Sequence, residues 1–251
     1  GTDFIFKADA TFNQRSGAAT LVFFAGDQPS QLAYCANIDL NNKNARIFRF
    51  GYSGGDLGAR SLPESLRDQD TYALRVEAIG KTVSFYVDDL LIVSEYVEDR
   101  PAVGRLGLLT FDTKVTYQNV VHEDLSAASI PALESLSLTG MTLETEFESG
   151  RYAYKAALPY DKNQVSLAPK APAGTAVAVT ARDAAGEDVP LSEKDGTWTA
   201  PLGEKDMDFT VQLTKGRVRV NYNIRGELAV DPDTMYRDAY RPQLHFSPFK
   251  N

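Results

Sequence analysis

The sequence predicts an all-β protein of two sandwiches in series, and three observations carry that prediction. Short apolar runs are broken by turn residues roughly every 8 to 12 positions, which is sandwich spacing. Within the runs apolar and polar residues alternate with the period of two that a half-buried strand requires. Helical periodicity is nearly absent.

From Asp3 to about Leu125 the predicted strands are residues 4–12, 19–24, 32–40, 45–50, 72–79, 82–87, 91–96, 104–111 and 115–121. Gly80-Lys81 is the clearest hairpin turn, because Tyr72, Leu74, Val76 and Ala78 alternate before it and Val83, Phe85 and Val87 resume the period after it. Asp88-Asp89 predicts a second tight turn, since Asp tolerates the left-handed conformation. Ser61-Leu62-Pro63-Glu64 has the form of a capping box ahead of a turn or two of helix. Residues 126–132, opening Ser-Ala-Ala-Ser-Ile-Pro, read as a linker. Beyond it, strands are predicted at 136–138, 142–147, 152–158, 165–167, 176–180, 209–213 and 218–224, with turns at Ser149-Gly150, Ala185-Gly186, Asp195-Gly196 and Lys215-Gly216. Residues 133–228 thus have about the length of an immunoglobulin-type sandwich. Residues 229–251 are polar and turn-like around Asp231-Pro232-Asp233 and read as an exit segment toward a further domain.

Composition sets the limits on function. With 26 Lys+Arg against 34 Asp+Glu the chain carries a net charge of −8. No basic stripe is present, which argues against nucleic acid and against an anionic membrane surface as partners. No stretch approaches the roughly 18 apolar residues of a membrane-spanning helix. The single cysteine, Cys35, cannot form an internal disulfide and lies in an apolar run, where a small buried hydrophobe is expected. Gly1 and Asn251 read as the ends of a piece cut from a longer chain.

Few residues suggest chemistry. Gly51-Tyr52-Ser53-Gly54-Gly55 matches the Gly-x-Ser-x-Gly pattern of a nucleophile elbow, but the helix such an elbow feeds is missing after it, so it reads as a flexible loop. His122 and His245 are the only histidines and have no partners at metal-ligand spacing, so no metal site is expected. Calcium, the one ion that leaves no spacing signature, could use Asp56, Asp88, Asp89 or Asp112, although turn carboxylates are ordinarily solvated. No other cofactor is implied, and no pair of carboxylates stands out as acid and base.

The hairpin over residues 33–50 is more informative. If Leu40 faces Arg46, then Asn37 lies opposite Arg49 and Asp39 opposite Ile47, which gathers Asn37, Asp39 and Arg49 on one face. Tyr34, Ala36, Ile38, Phe48 and Phe50 then point to the core. An amide, a carboxylate and a guanidinium on one sheet face match the hydroxyls of a neutral sugar, and Phe111 or Tyr52 at the rim would cover its C–H face. A solvated face with a surface ion pair is the plain alternative.

Several stretches also resemble known families. Leu21-Val22-Phe23-Phe24, Tyr34-Cys35-Ala36-Asn37-Ile38-Asp39, Ile47-Phe48-Arg49-Phe50, Val87-Asp88-Asp89 and Gly107-Leu108-Leu109-Thr110-Phe111-Asp112 through Tyr117-Gln118-Asn119-Val120 resemble the fructan-binding modules of carbohydrate-binding module family 66. The resemblance implies a concanavalin-like, laminin-G-like jelly roll over residues 1–125. Leu133 to Leu138, Phe147, Tyr152 to Leu158 and Tyr222-Asn223-Ile224 are similar to cadherin-like, immunoglobulin-type spacer repeats. Arg241-Pro242-Gln243-Leu244-His245-Phe246-Ser247-Pro248-Phe249-Lys250-Asn251 resembles the opening of the glycoside hydrolase family 32 propeller. Together these imply the non-catalytic, sugar-binding and spacer region of a secreted fructan-degrading glycosidase whose catalytic domain follows in the same chain. Its nucleophile and acid would lie outside these residues. The resemblance assigns sugar contacts to Asn37, Asp39, Phe111 and Asp112, and the module departs from its relatives at Lys7 and Phe24, where Glu and Arg are familiar.

Overall fold

The structure, a computed structural model, describes residues 2–27, 33–50, 55–203 and 205–229. Twenty strands and two single turns of 3-10 helix account for its regular structure. In the first sandwich they are β1 (Asp3–Phe12), β2 (Ala18–Ala25), β3 (Ala33–Asp39), β4 (Asn44–Phe50), β5 (Asp56–Ser61), β6 (Thr71–Ile79), β7 (Thr82–Val87), β8 (Leu90–Tyr96), β9 (Arg105–Phe111) and β10 (Val115–Leu125). The second contains β11 (Ser135–Thr139), β12 (Thr142–Leu143), β13 (Ala153–Leu158), β14 (Gln164–Lys170), β15 (Ala176–Asp183), β16 (Asp188–Val189), β17 (Ser192–Lys194), β18 (Thr197–Pro201), β19 (Met207–Lys215) and β20 (Val218–Leu228).

The first sandwich stacks a sheet ordered β10-β1-β6-β7-β8 on one ordered β5-β4-β3-β2-β9. Its strands alternate as the sequence does. Phe4, Phe6, Ala8, Ala10 and Phe12 of β1 meet Leu21, Phe23, Ala36, Ile38 and Ile47 of the facing sheet in one apolar core. Gly80-Lys81 and Asp88-Asp89 form the two expected tight turns, with Gly80, Asp88 and Asp89 all at positive φ. No capping box forms: residues 64–66 make a 3-10 turn whose N-cap is Pro63, without a side-chain hydrogen bond. The proline ring leaves Ser61 in β5 instead of at a helix start.

The second sandwich pairs a sheet ordered β11-β14-β18-β17 with one ordered β12-β13-β20-β19-β15-β16. Among the described residues only β13 and β20 pair in parallel. Leu158, Leu167, Phe209, Val211 and Tyr222 fill its core, and Ile79 and Leu125 from the first sandwich join it.

The joint between the sandwiches is mostly polar. Asn221 donates its amide to the Tyr86 hydroxyl at 3.0 Å, and the Asn223 amide reaches Ser94 at 3.2 Å and Tyr86 at 3.3 Å. The Tyr152 backbone N–H donates to the Thr82 hydroxyl at 3.1 Å. Arg60 and Asp208, both largely buried, close an ion pair across the joint. Residues 126–132 therefore lead directly into a packed contact, with Leu133 buried and its N–H donated to the Tyr222 hydroxyl at 2.9 Å.

Candidate functional site

The outward face of the sheet β5-β4-β3-β2-β9 carries three of the five residues singled out from the sequence. Strand β3 pairs with β2 and β4 so that Thr20, Asn37 and Arg46 form one row across this face. Phe111, Ala18, Asp39 and Asn44 form the next. Residues at the middle of the face, Thr20, Cys35 and Asn37, are buried, whereas Phe111 at its margin is 71% exposed. Asp112 follows Phe111 in a left-handed turn (φ 54°) packed against Gly17, where an added Cβ would lie 2.3 Å from the Phe111 carbonyl oxygen. That contact requires glycine, and it places the Phe111-Asp112 corner beside the start of β2.

Arg49 does not belong to this group. The register pairs Asn37 with Arg46, Asp39 with Asn44 and Tyr34 with Arg49. The expected pairing is thus displaced by three residues, and an odd displacement exchanges the faces of a strand. The reason is the tight connection over residues 40–43, in which Lys43 adopts a positive φ of 50° and Asp39 accepts the Asn42 backbone N–H at 3.0 Å and its side-chain amide at 2.7 Å. Arg49 lies on the opposite face, over the Tyr34 ring at 5.3 Å and ion-paired with Asp99 at 2.6 Å. Phe48 and Phe50 accordingly turn outward, and Phe50 is 55% exposed. Asp39 retains its place on the face, but its carboxylate caps the turn.

Arg46 is the residue that the sequence reading missed. Its guanidinium stacks on the Phe48 ring at 4.6 Å and pairs with Asp56 at 3.3 Å. The turn Asn41-Asn42-Lys43 was the signal that could have found it, because a four-residue connection fixes Asp39 opposite Asn44. Among the described residues, Asn37 Oδ1, Asn44 Oδ1 and Arg46 Nε are buried without a hydrogen-bond partner. An unmet buried polar atom costs about 1–3 kcal/mol, so three within two rows of one sheet face amount to an unsatisfied hydrogen-bonding surface. Asn37 Oδ1 needs a donor and Arg46 Nε an acceptor, and a single hydroxyl group supplies both. The Arg46–Asp56 pair is exposed and therefore weak. Cys35 adds no reactivity here: burial pushes its thiol up to about 11, only partly offset by the nearby Arg46 charge, so it remains protonated.

The other sequence candidates are dispersed. Asp88 accepts the Ala73 N–H at 2.7 Å, Asp89 pairs with Arg75 at 3.2 Å and Asp56 with Arg46, so these carboxylates serve separate contacts. Among the described residues no group of three or more His, Cys, Asp or Glu could hold a metal ion. His122 lies on β10 opposite Phe6, 3.5 Å from Asp124. Lys7 and Phe24 are far from the candidate face: Lys7 pairs with Arg75 and Val121 on the other sheet, and Phe24 is buried against Phe4, Phe23 and Tyr34. Ser53, Tyr52, His245 and the motif at 241–251 lie outside the described residues.

Residues 133–226 match the family described as the cadherin-like β-sandwich domain. That match spans nearly the whole of the second sandwich. Across both sandwiches the chain is 27% identical over 270 residues to a fructan β-fructosidase of Streptococcus mutans serotype c, covering 98% of this chain and 18% of that protein. A levanase of Bacillus subtilis is 27% identical over 125 residues, 49% of this chain and 18% of its own length. The chain therefore spans less than a fifth of either relative. Among solved structures, a carbohydrate-binding module, CBM66, from Bacillus subtilis covers 49% of this chain and 76% of its own at 25% identity and a TM-score of 0.40. Sheep galectin-11 in complex with glycerol covers 49% and 90% at 11% identity and the same TM-score. The similarity to the fructan β-fructosidase extends over both sandwiches, and that to the levanase over about half of the chain. Among the described residues no helix is long and apolar enough to cross a membrane.

Proposed function

We propose that this chain is a carbohydrate-binding accessory region whose jelly roll, residues 1–125, holds a β-fructan such as levan or inulin. In this reading residues 126–132 and the cadherin-like domain at 133–228 join it to a family 32 glycosidase propeller that begins near residue 241, and the whole enzyme works outside the cell. The observation that carries the proposal is the adjacent pair of unmet atoms, Asn37 Oδ1 and Arg46 Nε, on the sheet face that also presents Phe111. The names of the two curated relatives support fructan as the sugar.

Calorimetric titration with levan, inulin and fructose tests it. We expect saturable binding that weakens about tenfold in Asn37→Ala and in Arg46→Ala, the worth of one net hydrogen bond of about 1.4 kcal/mol. Absence of heat above dilution with every fructan, or affinity unchanged in both variants, would overturn it. A second reading draws on a separate observation. Strand β9 leaves Leu108 and β10 leaves Val120 more than a third exposed along the open edge of the first sandwich. In that reading the jelly roll packs on the following domain and shapes it without holding sugar, and it predicts normal folding with no fructan response.

A further inference from the structure

The geometry points to a second ligand site, for a short neutral oligosaccharide, in the cleft between the two sandwiches. This inference takes its class of ligand from the carbohydrate reading above, but uses none of the residues of the sheet face. The cleft has a volume of about 1000 Å³, at the upper end of the range of small-molecule sites, about 300–1,000 Å³. One wall is the outward face of β1 and β6, with Lys7 and Arg75. The other is the outward face of β19 and β20, with Gln212, Thr214 and Arg219. The walls meet where Asn221 bonds Tyr86, and the cleft opens away from that apex.

Two properties set this cleft apart from a hydrated seam. The first is its buried charge: the Glu77 side chain is 6% exposed and bonded to the Arg75 guanidinium, which also lies 3.9 Å over the Tyr86 ring. A buried ion pair is a poor stabiliser compared with apolar packing, whereas a guanidinium fixed on three sides is a preorganised donor for a ligand oxygen. The second is unspent donors. Among the described residues neither Lys7 nor Arg219 has an ion-pair partner, although both face the cleft of an acidic protein.

The chemistry of the walls selects the ligand. Thr210, Gln212 and Thr214 stand in a row on alternate positions of β19, a span of about 14 Å at about 3.4 Å per residue. Thr210 and Gln212 already donate to Asn223 and Asn221 at 3.2 Å, which leaves the Gln212 carbonyl oxygen, its second amide N–H and the Thr214 hydroxyl to meet the hydroxyls of two or three sugar units. Acidic side chains such as Asp9 and Glu123 and basic ones such as Lys7 and Arg219 are mixed in the lining, so the cleft presents no single sign of charge and matches a neutral, hydroxyl-rich chain better than a polymer of uniform charge.

Amide NMR with the full chain and a levan-derived or inulin-derived trisaccharide tests the inference. We expect shifts at 7–9, 75–77 and 210–219 that saturate, persist in Asn37→Ala and disappear, or weaken at least tenfold, in Thr214→Ala/Arg219→Ala with an unchanged melting temperature. A Gln212→Trp variant, which fills the cleft without removing charge, should likewise lose them. Shifts confined to the sheet face around Asn37 would overturn the cleft site and leave the first reading standing. Cleft shifts that survive both cleft variants would also overturn it, and no shift with either sugar would remove both readings at once.

Discussion

Removing one oxygen atom, in Tyr86→Phe, interrogates the joint between the sandwiches. The Tyr86 hydroxyl accepts the Asn221 amide at 3.0 Å and the Asn223 amide at 3.3 Å. Asn223 retains Ser94 at 3.2 Å and Ser84 at 3.4 Å, so its loss is small. The Asn221 amide has no second acceptor among the described residues, and stranding a buried donor costs about 1–3 kcal/mol. The ring itself stays in place, so no cavity term arises. We therefore expect a loss of about 2 kcal/mol in urea unfolding. Trp198, the single tryptophan, reports the cadherin-like domain by fluorescence, and far-ultraviolet circular dichroism reports both sandwiches. In the wild type the two probes should give coincident transitions, and in Tyr86→Phe they should separate as the joint loosens. A loss below 0.5 kcal/mol with coincident transitions would refute the reasoning, because it would mean that water replaces the hydroxyl at no cost.

Two further outcomes follow from single residues. Burial raises the Glu77 pKa above its ordinary value, more than the Arg75 charge lowers it. The native state then binds this proton more tightly than the unfolded chain, so the Glu77 contribution to stability increases as pH falls through the raised pKa and is complete below about 4.5. The difference in unfolding free energy between wild type and Glu77→Gln should rise from pH 8 to pH 4.5, and a pH-independent difference would refute this assignment. In Gly17→Ala the new Cβ meets the Phe111 carbonyl oxygen at 2.3 Å from a φ of +72°. That should cost at least about 2 kcal/mol in thermal unfolding and displace the Phe111-Asp112 corner, and an unchanged melting temperature would contradict it.

The strands were legible because the period of two survives in the sequence wherever one face is buried, as in Tyr72 to Ile79 or Phe4 to Phe12. Two of the exceptions share a cause. Strand β5, Asp56–Ser61, lies at a sheet edge with no buried residue, and β17, Ser192–Lys194, is exposed throughout. With no face to hide, neither has an alternation to detect. Only two residues of the expected strand at 142–147 pair as a ladder, because β12 is an edge whose Glu144 makes one further bond to Lys155. The sheet face was half legible. Asn37, Asp39 and Phe111 follow from parity along single strands, but their partner across the hairpin depends on the exact length of a turn, and that exchanged Arg49 for Arg46. The joint was not legible at all, since Asn221 and Asn223 contact residues about 130 positions earlier and resemble any solvated strand face.

The composition of the joint bears on how such a chain can be rearranged. Where two halves adhere through leucine and phenylalanine, parting them exposes a surface prone to aggregation. Here the apolar share is small, with Ile5, Ile79 and Leu125 joined by Pro63 and Leu90 beside Gly186, and much of the rest is amide, hydroxyl and paired charge that water can solvate. Either half could therefore be exchanged for another module at the cost of a few matched hydrogen bonds and of the contacts that Ile79 and Leu125 make with the second core.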